Sequence, residues 1–384
     1  MQNYKSYSFT EKKFLYILMG AGLLLVFLGL ITNHEKFWSS WLLNGFYFTL
    51  IALSGTVFIS IHTLANSGWH TAISKIPEAI IKFLPISAVI MLLLLLGTGN
   101  LYHWTHVEEG DTILLGKTSW LNLPFFIIRM ILYFGLWIFF SYKLINISLK
   151  EEEEGGLEHH RNRIRYSAIF IVLFAITSSM ASWDWIMSLD PHWYSTLFGW
   201  YIFSGLLVSG IAVITVLVIY LFKNGFMPWI NENHFHDLGK YLFGFSIFWT
   251  YLWFSQFLLI WYSNIPEETV YYAPRMDNYP VLFYLILVLN FAIPFLVLMT
   301  RDAKRNIKYL VISCGSIIIG HWLNLYLLIA PSVFHEHVTI GFSEIGMALC
   351  FGGLFMFVVF RSLSGKILLP KNHPFLEETF HYTS

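Results

Sequence analysis

The chain has 384 residues, of which 57% are hydrophobic, 19% aromatic and only 12% charged. Soluble domains carry about 25% charged residues, so this composition excludes an ordinary soluble domain and predicts a polytopic membrane protein. The formal net charge is zero, which gives no indication of a nucleic-acid partner.

Ten apolar runs follow one another along the chain, each near the 20 or so residues that a helix needs to cross a membrane. The first run follows Lys12 and Lys13. It lacks the short apolar region and small-residue cleavage site of a signal peptide, so we expect it to be retained. We predict an all-α, polytopic membrane protein with a single integral domain, residues 1–384. The ten transmembrane helices are expected at about 14–32, 41–65, 77–98, 123–147, 166–187, 195–222, 240–263, 280–300, 309–330 and 338–360.

The distribution of basic residues predicts the orientation of these helices. With the N-terminus inside, 19 of the 23 Lys and Arg residues fall in inner segments or at inner helix ends. The outer loops hold only Lys36, Lys117 and Arg275. Because cytoplasmic loops are enriched in Lys and Arg, both termini are expected in the cytoplasm.

The loops differ in their charge. The run Glu151 to Glu154 and the following GGLEHHRNRIR are interpreted as a solvated cytoplasmic connector, for which the charges require no function. The tail after Arg361 is interpreted as a short cytoplasmic extension. The long outer loops lie on the side where a partner could dock. Their acidic residues are Glu108, Glu109, Asp111, Glu267, Glu268 and Asp277.

The chain shows no sequence motif for a resident redox centre or metal. Cys314 and Cys350 both lie in apolar runs, where small buried side chains are ordinary. There is no CxxCH haem-attachment site and no cysteine spacing for an iron–sulfur cluster. No zinc or phosphate-binding motif is found either. We therefore expect no metal and no cofactor bound by this chain.

One segment, SSMASWDWIMSLDPHWYSTLFGWYIFSG at 178–205, joins two apolar runs and carries charge at the membrane edge. A charged residue at mid-membrane costs roughly 2.5–3.5 kcal/mol, and less near the surface. Asp184 lies about three residues from the outer end of the fifth run, and Arg129 about six residues into the fourth from outside. The two can therefore meet as a buried pair. The alternative is an aromatic belt followed by a turn at Asp190, Pro191 and His192.

Other polar residues also fall at membrane depth. Gln256, Asn324 and His321 are placed in the outer or middle parts of their helices, Glu344 in the outer part of the tenth helix, and His62 near the inner end of the second. Ionisable groups at such depth indicate proton relays or quinone contacts. The alternatives are packing and interhelical hydrogen bonds, or an interface position for Glu344. His62 and His321 differ in depth, which argues against a haem held between them.

Four segments carry a resemblance to a known family. They are the segment 178–205, LYHWTH at Leu101 to His106, LNLPFFIIRMILYF at Leu121 to Phe134, and WFSQFLLIWYSNIPEE at Trp253 to Glu268. Together they resemble the F subunit of bacterial alternative complex III, a quinol:electron-acceptor oxidoreductase of the wider NrfD/polysulfide-reductase-like membrane family. The likeness covers about Asn66 to Glu268, with weaker agreement to Arg361.

The resemblance implies two four-helix bundles, helices 2–5 and 6–9, with two peripheral helices. A weak internal repeat fits this division, since Asp184 precedes Pro191 by seven residues and Asn324 precedes Pro331 by seven. The resemblance also implies a bacterial inner-membrane location and a menaquinol or other quinol substrate. The implied partners are lipids, an NrfD-like quinol-binding subunit, an iron–sulfur subunit and cytochrome c subunits, which would carry the haem c and iron–sulfur clusters.

These observations predict a membrane subunit of a respiratory quinol:cytochrome c or electron-acceptor oxidoreductase, without catalysis of its own. Its proposed proton route uses Asp184, Arg129, His321 and Glu344, with His62 as the inner entry. Polar packing or quinone contact is expected of Gln256, Asn324 and His192. One alternative is a secondary transporter, whose helices would be broken near the midplane. Another is a purely structural scaffold, in which every buried polar group is paired.

Overall fold

The computed structural model describes residues 4–106, 110–334, 337–380 and 382, and these contain no β-strand. Within them, ten helices are long and apolar enough to cross a membrane. Glu108 and Glu109, two of the acidic residues on the side where a partner could dock, lie outside the described residues. The ten helices are α1 Lys12–Thr32, α2 Lys36–Leu64, α3 Lys75–Leu101, α4 Leu123–Glu154, α5 Leu157–Leu189, α6 Phe198–Lys223, α7 Glu232–Ser263, α8 Pro280–Val297, α9 Ile307–Phe334 and α10 Phe342–Leu363.

Local sequence explains where several of these helices begin and end. The Asn122 side chain accepts a hydrogen bond from the backbone of Phe125 at 2.9 Å and so caps α4. Asn231 caps α7 in the same way. Between α4 and α5 the backbone takes φ of +70° at Gly155 and +88° at Gly156. These left-handed conformations disfavour any side chain, so two glycines make the turn.

Successive helices run in opposite directions, which gives the bundle two faces. The terminal face holds both chain ends with the connections 65–74, 155–156, 224–231 and 298–306. The distal face holds the connections 33–35, 110–122, 190–197, 264–279 and 337–341. The tail after Leu363 packs back onto the terminal face, where Leu368, His373 and Thr379 are buried.

Helices α2 and α6 form the centre of the molecule. Buried residues make up 89% of the apolar window of α2 and 83% of that of α6. The two helices touch each other closely, because a Cβ on Gly210 of α6 would lie only 2.0 Å from Ser54 Oγ of α2. Helix α1, by contrast, packs on α10 through Gly22 and Gly346. Small residues at these crossings allow the backbones to approach, as is usual in membrane bundles.

Helix α8 is interrupted in its middle. Residues Val288–Ala292 form a π-helical segment directly before Pro294, whose ring removes a backbone donor. Asn290 lies within this segment and is fully buried. Such segments are frequent at functional sites, and this one directs a polar side chain into the protein interior beside Gly320.

The interpretation of the acidic run as a solvated connector is wrong at Glu151. Helix α4 continues beyond its apolar part to Glu154, and α5 begins at Leu157. Glu151 is only 1% exposed and faces Arg163, whereas Glu153 and Glu154 are exposed. The two helices pack along their whole length, so one side of each charged extension becomes buried.

Candidate functional site

The segment that joins α5 to α6 places two aspartates at the distal face, and each has an arginine partner. Asp184 lies in the last turns of α5, and a short 3-10 turn at Met187–Leu189 separates it from Asp190. Arg129 of α4 contacts Asp184, and Arg275 of the 264–279 connection contacts Asp190. This short segment therefore takes part in two ion pairs, one with α4 and one with the 264–279 connection.

The predicted buried pair of Asp184 and Arg129 is confirmed. Arg129 donates from Nε to Asp184 Oδ2 at 2.7 Å and from Nη2 to Oδ1 at 2.9 Å. The Tyr133 hydroxyl donates to Oδ2 at 2.7 Å, and Trp120 Nε1 donates to Oδ1 at 3.0 Å. Asp184 is 1% exposed and Arg129 4%. Four donors, two of them from the bidentate Arg129, satisfy the carboxylate.

The remaining surface of Arg129 is also occupied. Its Nη1 donates to the Trp120 carbonyl at 2.9 Å. The guanidinium lies over the Trp120 ring at 4.3 Å and the Phe125 ring at 4.4 Å, distances at which cation–π attraction is appreciable. This network is closed, which favours a role in fixing α4 against α5.

The second ion pair was not predicted. Arg275 was placed in an outer loop, yet it is only 3% exposed. Its Nη2 donates to Ser332 Oγ at 2.6 Å and to the Leu328 carbonyl at 3.1 Å, and lies 3.5 Å from Asp190 Oδ2. The Ser332 hydroxyl donates to the same carboxylate oxygen at 2.5 Å. Arg275 thus ties its loop to the end of α9 and to the α5–α6 segment.

Aromatic residues surround this second pair. The Arg275 guanidinium stacks on Tyr271 at 3.5 Å, and the Tyr271 ring stacks on Trp193 with centroids 3.7 Å apart. Burial raises the pKa of Tyr271 to about 12, although Arg275 acts in the opposite direction. The phenol is therefore neutral at physiological pH. The local sequence YYAPRMD, an arginine among aromatics, was the available signal for this site.

Two small cavities lie below the second pair, toward the middle of the bundle. The first, of about 20 Å³, is lined by Arg275, Gln256 and Asn324, among others. The second, of about 10 Å³, shares Tyr201 and Asn324 with the first and adds His321. The Tyr201 hydroxyl donates to Asn324 Oδ1 at 2.5 Å. Cavities of this size with polar walls accommodate single waters.

Several buried polar groups of α7–α9, among them Gln256 and His321 of the cavity walls, have no hydrogen-bond partner among the described residues. Buried polar groups in native proteins are nearly always satisfied by protein or by water, so this interior requires water. His321 is 3% exposed, and its Nε2 is among these atoms, while its ring packs edge-on against Trp249. The unpartnered side-chain atoms belong to Ser246, Trp249 and Gln256 of α7, Asn290 of α8, and Ser313 and His321 of α9.

His62 lies toward the terminal face, apart from this group. Its Nδ1 donates to the Phe58 carbonyl at 2.8 Å, while Nε2 has no partner among the described residues. The ring lines a third cavity of about 30 Å³ together with Ser54 and Tyr241. Its centroid is 5.2 Å from that of His70. His62 therefore begins a polar region that continues to the terminal face.

Two predicted site residues lie elsewhere. Glu344 caps α10, since its Oε2 accepts from the Gly341 backbone at 2.8 Å. His192 contacts Asp111 at 2.6 Å on the distal surface and is more than half exposed. The structure thus brings together His321, Asn324 and Gln256, and keeps them apart from the other predicted residues.

The internal repeat of Asp184 and Asn324 in the sequence is not matched by the residues that they contact in the structure. Asp184 of α5 pairs with α4, whereas Asn324 of α9 pairs with Tyr201 of α6.

Comparison of the chain with protein-family models and with curated proteins gives no match. The geometry and the four resembling segments together supply the basis for a functional proposal.

Proposed function

We propose that this chain is an integral membrane subunit of a bacterial respiratory quinol:electron-acceptor oxidoreductase related to alternative complex III. In this role it supports quinol oxidation and moves protons through the interior of α6–α9. The observation that carries the proposal is that Gln256 and His321, each with an unpartnered buried atom, line two cavities that share Tyr201 and Asn324. The four resembling segments supply the identity of the complex.

The helix contacts support a division into two bundles. Helices α2, α3, α4 and α5 each pack on the next, and α5 returns to α2. Helices α6, α7, α8 and α9 do the same, with α9 returning to α6. We propose that these are two four-helix bundles joined mainly through α2 and α6. Helices α1 and α10 pair at the periphery.

The proposed proton route runs along the second bundle and its boundary with α2. Asp190 stands at the distal end, and Asp237, which contacts Lys240, at the terminal end. Between them, His321 is the histidine that lines the second cavity. An imidazole can accept a proton on one nitrogen and release one from the other. Waters on Tyr201, Asn324 and Gln256 would continue the route, and His62 would connect it to the terminal side.

The closed geometry of the other acidic network suggests a different role for it. Asp184 and Arg129 belong to α4 and α5 and satisfy each other's hydrogen-bonding groups. A relay group must exchange partners, which a carboxylate with four fixed donors resists. We propose that this pair fixes helix packing rather than carrying protons. The quinol site, haem c and iron–sulfur clusters are assigned to partner subunits.

A secondary transporter is the second candidate, because the π-helical segment Val288–Ala292 and Pro294 interrupt α8 near its middle. The three interior cavities measure only about 10, 20 and 30 Å³, which suits water rather than a solute. A pure scaffold is disfavoured because it requires paired polar groups throughout.

The proposed orientation places the terminal face in the cytoplasm, following the excess of Lys and Arg there. We expect a membrane-impermeant thiol reagent added outside to label Glu267→Cys but not Glu153→Cys. Both positions are exposed in the structure, on opposite faces. The parent chain is the control, since Cys314 is buried and Cys350 half-buried. External labelling of Glu153→Cys in intact cells would reverse the orientation.

Purification of the chain from its native membrane tests the proposed complex. We expect haem c and iron–sulfur subunits to copurify, and the preparation to oxidise quinol. The chain separated from them is expected to show no haem spectrum. The proposal fails if the chain purifies alone and transports a solute. It also fails if the isolated chain shows a haem spectrum that His62→Ala or His321→Ala abolishes.

A further inference from the structure

Three buried residues from different segments meet at the terminal face. Glu151 lies near the end of α4, His160 at the start of α5, and His373 in the tail. One ligand atom from each lies within 4.8 Å of the others. The sequence offered no motif here, because His373 is more than 200 residues from Glu151 and His160 along the chain.

Glu151 and His160 present atoms that are free of hydrogen bonds, whereas His373 Nδ1 accepts a hydrogen bond from the Phe375 backbone at 3.2 Å. His160 Nε2 contacts Asn66 Oδ1 at 3.2 Å, which fixes the proton on Nε2 and leaves the lone pair on Nδ1. That Nδ1 is 3.9 Å from Glu151 Oε1. Neither atom has a hydrogen-bond partner among the described residues, although both residues are at least nine-tenths buried. Two such atoms facing each other form a position that a cation or a water can occupy.

We propose that Glu151, His160 and His373 bind a divalent transition-metal ion of the Zn²⁺ class. Two neutral imidazoles and one carboxylate form a frequent protein ligand set for Zn²⁺, with water in the fourth position. Ligand bonds of about 2.0–2.2 Å place tetrahedral donors roughly 3.3 Å apart. The cluster must therefore contract by up to about 1.5 Å from separations of as much as 4.8 Å. His373 must also change its Nδ1 contact with Phe375, and its tail segment can supply that movement.

The surrounding charges are compatible with a bound cation. Arg163 is close, but its Nη1 faces the other carboxylate oxygen of Glu151 at 3.5 Å. Lys75 is paired with Glu78 at 3.1 Å and with Glu152. The neighbouring carboxylates thus outnumber the two basic side chains, and each oxygen of Glu151 can serve one positive partner.

The metal would join the tail to the α4–α5 hairpin. Without it, the tail is held by contacts such as the hydrogen bond from Asn372 Nδ2 to the Glu152 carbonyl at 2.9 Å. Thr379 Oγ1 also donates to the Gly68 carbonyl at 3.2 Å. The His373 ring lies 6.4 Å from that of His70, the neighbour of His62, so the site adjoins the terminal end of the proposed proton route. Metal binding is measured without proton movement, so its test is separate from the test of that route.

The test uses the full chain with its copurifying subunits, in detergent and with an affinity tag free of histidine. After chelator treatment, Zn²⁺ is titrated against a chromophoric competitor. The parent is expected to bind Zn²⁺ stoichiometrically, and His373→Ala to bind it more than about tenfold more weakly. His159→Ala is the matched control, since His159 is adjacent to His160 but contacts Glu154 at the surface. It should bind Zn²⁺ like the parent.

Limited proteolysis gives a second measurement. Zn²⁺ is expected to protect the tail of the parent and of His159→Ala, but not that of His373→Ala. If His373→Ala elutes as an aggregate, both measurements are repeated with Glu151→Gln. A parent that binds no Zn²⁺ would overturn the proposal, as would equal Zn²⁺ affinity in the parent and the ligand variants.

Discussion

Asp184→Asn is expected to lower the yield of assembled complex sharply. The substitution removes the charge opposite Arg129, which is 4% exposed and contacts no other carboxylate in the part of the chain that the structure describes. Breaking a fully buried ion pair costs about 3–5 kcal/mol, because it leaves an uncompensated charge. The measurement is the amount of intact complex recovered by size-exclusion chromatography, together with its thermal stability.

Two further variants make this result specific. Asp184→Asn combined with Arg129→Gln removes both charges, so assembly should largely recover. Asp111→Asn is the matched control, since Asp111 pairs with the exposed His192 at the same face and contributes little. If Asp184→Asn assembles as well as the parent, the pair does not fix the packing of α4 and α5.

His321→Met is expected to leave assembly intact and to slow quinol oxidation by about 100-fold. Methionine fills a similar volume but cannot exchange protons, and a positioned acid–base group typically contributes 10²–10⁴-fold. His321 makes no ion pair, and its Nε2 has no partner among the described residues, so its loss leaves no charge unpaired. The measurement is steady-state reduction of the electron acceptor by the solubilised complex.

Cys314→Ala provides the control for His321→Met. Cys314 lies on the same helix and is fully buried. Replacing it changes packing without touching the cavities. Equal turnover in His321→Met and the parent would remove His321 from the proton route. If turnover falls in both variants, the effect comes from altered packing of α9.

Much of the architecture could be predicted from the sequence, for a simple physical reason. A span of about 20 apolar residues is required by the membrane thickness, so the helices appear as long uninterrupted runs. Depth along a helix can also be counted at 1.5 Å per residue. That count predicted the meeting of Arg129 and Asp184, which the structure confirms.

The groups that were missed depend on contacts between distant segments. Glu151 has charged neighbours in sequence and Arg275 lies in a predicted loop, both typical of solvated residues, yet both are buried. The end of α9 covers Arg275. Arg163 and the C-terminal tail, through His373, cover Glu151. Asn290 was missed because its inward direction depends on the π-helical segment of α8. No local pattern specifies these contacts.

The number of protons moved per electron tests the central claim most directly. The complex is reconstituted in vesicles with a pH-sensitive dye, and quinol oxidation is started with a known amount of electron acceptor. We expect His321→Met to move fewer protons per electron than the parent. The Asp184→Asn, Arg129→Gln double variant is expected to keep the parental ratio. A parental ratio in His321→Met, or a reduced ratio in the double variant alone, would contradict a proton route through α6–α9.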